Sequence, residues 1–470
     1  MSTATGQSNT FAKRVTAVFS TKVFVFGVSF VTSIILARIL GPTGKGQYVA
    51  VIAVPGLLGA IGVFGLPNAI NYFSARGMSI RGLFWAGLLF TAVLSAVLVT
   101  ILWIALPVLH ESVFSAAPEN LLRLGLITVP AALLSTFGSA VLYGRQRIKV
   151  YTTILIGQAV ATFALSVLLV AVLRWDVTGA VVSSVIVTWL LAIVTEIAVA
   201  QMFWGGSKER EESPLSYRAL VSYGSRLYPA SITGYFNYRI DTFIIQALMV
   251  ASSGPLGLYN MAVTMAELLF YVPDSVTMIF LPRVSGATPD EADAFLPRVA
   301  RLNMLLTCLG AAGLIPVAYI GIHLVLPKFA PCLPAFYVLL PGVLSISLAK
   351  VLTSYLAGRG RPGPVSVGAT VAVVANVVAN FILIPRFGIT GASAASLISY
   401  TLLALLMLVV SCRLSHLSPL AIVVPGKAEV RILQSAARRS IAHLRARIDE
   451  RRRGARPGGA AGEIHGGSPS

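Results

Sequence analysis

Twelve long apolar runs follow one another along the chain, separated by short polar, glycine or proline stretches. They cover 15–40, 48–73, 83–109, 121–143, 151–173, 177–203, 220–250, 256–280, 302–326, 333–356, 365–384 and 389–411. About 20 apolar residues cross the hydrocarbon core of a bilayer as a helix, so each run predicts one membrane span. Prolines inside the runs, such as Pro55, Pro229 and Pro316, are compatible with this. Neighbouring helices can satisfy the backbone groups that a proline frees.

Repetition refines the picture. The segment 177–194, "VTGAVVSSVIVTWLLAIV", recurs at an offset of 212 as "ITGASAASLISYTLLALL" at 389–406. The loop residues Gly144, Arg145 and Arg147 return 214 positions later as Gly358, Arg359 and Arg361. Gly46 and Tyr48 return at 211 as Gly257 and Tyr259. Matches at nearly one offset predict a duplicated chain of six spans plus six. An even repeat enters the membrane twice from the same side, giving a parallel pseudo-twofold of the kind that transporters build around a central cavity. The expected fold class is therefore an all-α polytopic membrane protein, with twelve transmembrane helices in two six-helix lobes around that cavity. The expected organisation is an N-terminus at 1–14, a first lobe at 15–204, a linker at 205–217 and a second lobe at 218–412. A basic tail at 413–453 and a disordered end at 454–470 follow.

Composition agrees. Of 470 residues, 56% are hydrophobic and only 11% charged, against about 25% charged in a soluble domain. The net charge of +19 would invite a nucleic-acid reading, but its placement argues against one. With the N-terminus inside, the cytoplasmic connections carry 17 Lys and Arg before the tail, and the outer ones carry six (Arg38, Lys45, Arg123, Arg174, Lys328 and Arg386). That bias puts both termini in the cytoplasm. No nucleic-acid partner is expected, and three cysteines suggest no disulfide framework.

Three stretches carry a family likeness. "LARILGPTGKGQYVAVIAVPGLLGAIGVFGLPNAINYF" at 36–73 resembles the first helical hairpin of bacterial oligosaccharide flippases. The stretch 237–285, beginning "NYRIDTFIIQALMV", resembles the corresponding hairpin of the second lobe, and 360–400 resembles the late helix pair. Together they are similar to the polysaccharide-export branch of the multidrug/oligosaccharidyl-lipid/polysaccharide superfamily. The resemblance implies movement of undecaprenyl-pyrophosphate-linked oligosaccharide from the inner to the outer leaflet by alternating access. It also implies the bacterial inner membrane, and a cavity lined by spans one, two, seven and eight.

Ionisable groups inside a bilayer are costly and usually face a cavity. In the eighth span Asn260, Thr264, Glu267, Tyr271 and Asp274 recur at 4, 3, 4 and 3, which puts them on one helical face. The seventh span carries Ser222, Arg226, Thr233, Asn237 and Asp241 in a similar line, with Arg239 two residues from Asp241 and nearly opposite it. Lys22 in the first span and Asn68 and Asn71 in the second add polar groups. By the resemblance these residues surround the head group. Lys22, Arg226 and Arg239 would meet a pyrophosphate; Glu267, Asp274, Asn237, Tyr235 and Tyr271 would meet sugars, and Asp241, Asn68 and Asn71 complete the expected substrate-binding set. Asn376 and Asn380 read as contacts between helices, and Lys350 as a lysine that snorkels. At an offset of 211, Glu267 and Asp274 fall on Gly56 and Val63, so the scaffold repeats without its acids. That asymmetry marks Glu267 and Asp274 as candidates for coupling an ion to transport.

In the tail, Val430, Leu433, Ala437, Ile441, Leu444 and Ile448 form an apolar stripe among arginines. Such a helix suits anionic membrane lipids or a protein partner, for which a polysaccharide polymerase or glycosyltransferases are candidates. No nucleotide loop, zinc motif or nucleophile elbow occurs, so neither an enzyme nor a cofactor is expected. The alternatives are a cation-coupled drug or metabolite exporter, a polytopic glycan polymerase and a membrane scaffold.

Overall fold

The computed structural model describes residues 2–110, 114, 117–204, 216–249, 252–424 and 426. Among them the chain is almost wholly helical and contains no β-strand. In order the helices are α1 (Ser2–Gly62), α2 (Leu66–Ala75), α3 (Ile80–Leu109), α4 (Glu119–Leu126), α5 (Thr128–Gly144), α6 (Ile148–Ser166) and α7 (Asp176–Trp204). Then come α8 (Tyr217–Leu248), α9 (Gly254–Ala266), α10 (Tyr271–Ser285), α11 (Pro289–Val325), α12 (Leu333–Gly358), α13 (Pro362–Ser415) and α14 (Pro419–Val423). The expected linker lies almost entirely outside the described residues, and so does the basic tail beyond residue 426.

Nine helical stretches among the described residues are long and apolar enough to cross a membrane. Two of them each hold two of the twelve apolar runs. α1 breaks at Gly41, whose φ of 66° lies in the left-handed region, and α13 breaks at Gly388 with φ 58°. Glycine adopts that conformation without a steric penalty. The run at 220–250 corresponds to α8, which carries Arg226, Arg239 and Asp241 and is not among the nine. The layout is consistent with twelve spans. Its buried apolar side chains form two large clusters. One draws on residues 261–422 with Ala37, and the other chiefly on residues 49–199.

The eighth run is not one uninterrupted helix. α9 stops at Ala266, a 3₁₀ turn occupies Glu267–Phe270, and α10 resumes at Tyr271. Pro273 supplies the reason, because it has no N–H to donate to the carbonyl of Leu269 four residues earlier. Tightening into a 3₁₀ turn re-pairs part of the backbone.

The two halves of the chain meet by backbone contact at both ends of the bundle. A β-carbon on Gly46 would lie 1.8 Å from the Ser253 carbonyl oxygen, and one on Gly257 would lie 2.0 Å from that of Pro42. Both pairs are related by the offset of 211, so the contact is reciprocal, as a twofold axis requires. The Ser253 hydroxyl also donates to the Thr43 carbonyl at 3.1 Å. At the other end Gly65 (φ +71°) packs on Gly224, where a β-carbon would fall 2.0 Å from the Gly224 carbonyl oxygen. Phe64 stacks on Tyr228 at 4.8 Å between ring centroids, and Tyr72 on Tyr223 at 4.4 Å. The repeated arginines keep matching tasks. Arg145 donates to the Met78 carbonyl at 2.5 Å, and Arg359 to that of Pro289 at 3.3 Å while pairing with Asp293.

Gly65→Val forces a branched side chain into both a left-handed φ and a backbone contact, at a cost of about 1–3 kcal/mol from the backbone alone. Thermal unfolding of detergent-purified protein should show a clear fall in midpoint for this variant. Gly157→Ala, whose β-carbon meets nothing within 4 Å, should show none. Equal midpoints would contradict the contact's importance.

Candidate functional site: a charged chamber between the halves

Between the halves lies a chamber of about 540 Å³. α1 contributes Lys22, Val25 and Phe26, α8 contributes Tyr235, Tyr238 and Arg239, and α12 contributes Lys350. Glu267 and Phe270 come from the 3₁₀ turn, Tyr271 and Asp274 from α10, and Leu155 from α6. Three cations and two carboxylates therefore face one space.

Their geometry is specific. Lys350 Nζ lies 2.7 Å from Asp274 Oδ1, over the Phe270 ring at 4.3 Å and the Tyr238 ring at 5.7 Å. Cation–π contact of this kind favours a partly desolvated ammonium. Arg239 Nη2 stands 3.5 Å from Glu267 Oε1, a looser pair. Phe26 closes against Tyr271 at 4.5 Å between ring centroids, linking α1 to α10. The 3₁₀ turn brings Glu267 and Phe270 to the wall together with Tyr271 and Asp274.

Of the sequence-derived candidates, Lys22, Tyr235, Arg239, Glu267, Tyr271 and Asp274 come together here. The structure places the others elsewhere. Two residues apart on a helix means about 200° of rotation, so Asn237 and Asp241 point away when Arg239 faces the chamber. Asp241 is buried, accepting from the Tyr259 hydroxyl at 2.6 Å, the Ser396 hydroxyl at 2.5 Å and Asn380 Nδ2 at 2.5 Å. Asn380 also donates to Asn376 Oδ1 at 2.8 Å, so both asparagines belong to this network. Asn237 accepts from Ser399 at 3.3 Å. These bonds tie α8 to α9 and α13. Arg226 is an exposed residue of α8, and Asn68 and Asn71 lie on α2. None of the three lines the chamber.

Lys350 had read as a snorkelling lysine, yet it points inward. Its partner Asp274 is 76 residues away in sequence, and no local spacing announces such a pair. The ring of Phe26, Tyr238 and Phe270 was equally hidden, since aromatic residues are common on lipid-facing surfaces.

A family model described as polysaccharide biosynthesis protein matches residues 11–285, more than half of the chain. The chain belongs to that family. As a family member it shares its fold with solved transporters. An inward-closed structure of the lipid II flippase MurJ superposes with a TM-score of 0.69 at 12% identity, covering 84% of this chain and 87% of that one. An inward-facing MATE multidrug transporter of the MOP superfamily gives 0.66 at 13% identity, covering 83% and 94%. An outward-facing MATE structure gives 0.62 at 14% identity, covering 86% and 96%. No curated protein sequence matches significantly. The chain is thus a multi-pass membrane protein of the polysaccharide biosynthesis family, with the fold of the solved MurJ and MATE transporters.

The Lys350–Asp274 pair can be measured directly. Asp274 is about half exposed, which limits a pair of this kind to about 1 kcal/mol after solvent screening. Lys350→Met should lower the thermal midpoint, and adding Asp274→Asn should return a good part of the loss in a double-mutant cycle. Strictly additive losses would show that the pair contributes nothing.

Proposed function

We propose that this protein carries undecaprenyl-pyrophosphate-linked oligosaccharide from the inner to the outer leaflet of the bacterial cytoplasmic membrane, by alternating access between two six-helix lobes. The observation that carries the reading is the sign of the chamber: Lys22, Arg239 and Lys350 outnumber Glu267 and Asp274. A diphosphate needs several charge-assisted donors, and a guanidinium offers it two parallel N–H groups. The 3.5 Å Arg239–Glu267 pair leaves that guanidinium free to turn. A chamber built for organic cations would hold an excess of acids. In this reading both termini are cytoplasmic, and the protein moves its substrate without changing its covalent bonds.

The two carboxylates then have a task. A diphosphate that engages Arg239 and Lys350 displaces Glu267 and Asp274, which can each take a cation, proton or sodium, while the load is aboard. Substrate binding and ion uptake become reciprocal through one pair of contacts.

Binding of undecaprenyl diphosphate to the purified protein tests the assignment, with undecaprenol as the uncharged control. The diphosphate should bind and the alcohol should not. Arg239→Gln should weaken diphosphate binding by about tenfold, roughly the 1.4 kcal/mol of one charge-assisted hydrogen bond. Tight binding of tetraphenylphosphonium with no binding of the diphosphate would favour the exporter reading instead. For coupling, Glu267→Gln should flatten the pH dependence of flipping of a fluorescent undecaprenyl-diphosphate sugar in proteoliposomes. An unaltered profile would remove Glu267 from that role.

A further inference from the structure

A second cavity, of about 420 Å³, adjoins the charged chamber and shares Tyr235 with it. It lies in the N-terminal half, between the second part of α1, the α4–α5 segment and α7. Part of its wall occupies the same places in the repeat as part of the charged chamber's wall. At the offset of 211, Gly56 and Val63 of this cavity correspond to Glu267 and Asp274 of the chamber. Gly59 and Ala60 correspond in the same way to Phe270 and Tyr271. At the loop offset of 214, Thr136 corresponds to Lys350. Five wall positions have therefore kept their place in the scaffold while changing their chemistry. At each of these five positions an ionisable or aromatic group of the chamber is matched by a small or neutral group in the N-terminal cavity.

We infer that the duplicated cavity has divided its labour: the N-terminal cavity is a subsite for the uncharged sugar units of the load whose diphosphate the charged chamber holds. This deepens the flippase reading above and rests on it. The wall chemistry supports a neutral, hydroxyl-bearing ligand. Apart from Tyr235 no ionisable side chain among the described residues lines the cavity, so an anion there would lose its hydration without gaining a counter-charge. Thr136 and Thr188 each donate to a carbonyl of their own helix, and Thr128 to the Gly125 carbonyl at the end of α4, all at 2.7 Å, which leaves their oxygen lone pairs as acceptors. Sugar hydroxyls are donors of the matching kind. Gly59 opens into empty space, with nothing within 4 Å of a β-carbon built there, and this leaves room for a ring. Tyr235, with its hydroxyl 3.0 Å from a β-carbon built on Gly56, stands on the boundary and lines both spaces. The volume falls in the range of small-molecule sites, about 300–1,000 Å³. An isoprenoid tail has the bilayer itself as solvent and needs no hydroxyl-lined cavity.

The test compares two probes on purified full-length protein, undecaprenyl diphosphate and undecaprenyl-diphosphate-linked disaccharide, by native mass spectrometry. The unmodified protein should bind the sugar-bearing probe more tightly. Gly59→Leu, which fills the cavity, should cut the ratio of the two affinities by about tenfold or more, the scale on which a filled pocket rejects a ligand. Thr136→Val, nearly isosteric, should cut it by a smaller factor and guards against a folding defect in the first variant. A ratio held within about twofold in both variants overturns the subsite. So does an equal weakening of both probes, which would put the tail in the cavity. No binding of either probe to the unmodified protein overturns the lipid-linked reading, and the subsite with it.

Discussion

A charge inside a membrane must be paired, hydrated or absent, and the interior of this protein is organised around that constraint. Moving a carboxylate or an ammonium out of water costs several kcal/mol even after relaxation. Lys350 answers with Asp274 and two aromatic faces, Arg239 with Glu267, and Asp241 with three hydrogen-bond donors. The third case differs from the other two. Asp241 is enclosed and fully engaged, which makes it part of the scaffold that joins α8 to α9 and α13. The first two pairs face open volume, where a ligand of the right charge can replace one partner. Only exchangeable pairs of that kind can report the presence of a substrate.

At their ends the halves meet by close backbone contact, supplemented by the Ser253 hydroxyl bond to the Thr43 carbonyl at one end and by aromatic stacks at the other. Glycine against carbonyl, as at Gly46 with Ser253 and Gly257 with Pro42, lets the two backbones approach more closely than any side chain would allow. Gly65 against Gly224 does the same at the opposite end. The walls of the chamber come from both halves.

Much of this was legible in the chain itself, for physical reasons. Twelve apolar runs and one recurring offset follow from bilayer thickness and gene duplication, and both leave marks in linear order. The stripe through Glu267, Tyr271 and Asp274 was visible because helical period maps spacing onto a face. It was drawn on an ideal helix, however, and Pro273 inserts a 3₁₀ turn into it. The partner of Lys350 was invisible because the pair joins α10 to α12 across 76 residues. Asn237 and Asp241 were assigned to the cavity from their own line on α8, although their spacing from Arg239 already set them opposite it. The pairing of Gly56 with Glu267 was written in the repeat. In the structure the two residues line adjoining cavities.

The central claim is that a diphosphate-linked sugar crosses the membrane through this chain. The most direct measurement is the leaflet distribution of lipid-linked oligosaccharide in right-side-out spheroplasts, with the gene intact and with it deleted. Sugars exposed on the outer leaflet are labelled with a membrane-impermeant reagent, and the lipid-linked pool is then extracted and counted. Deletion should leave a larger pool that escapes labelling, and restoring the gene should make that pool reactive. A pool of unchanged size that labels equally well without the gene would contradict the account.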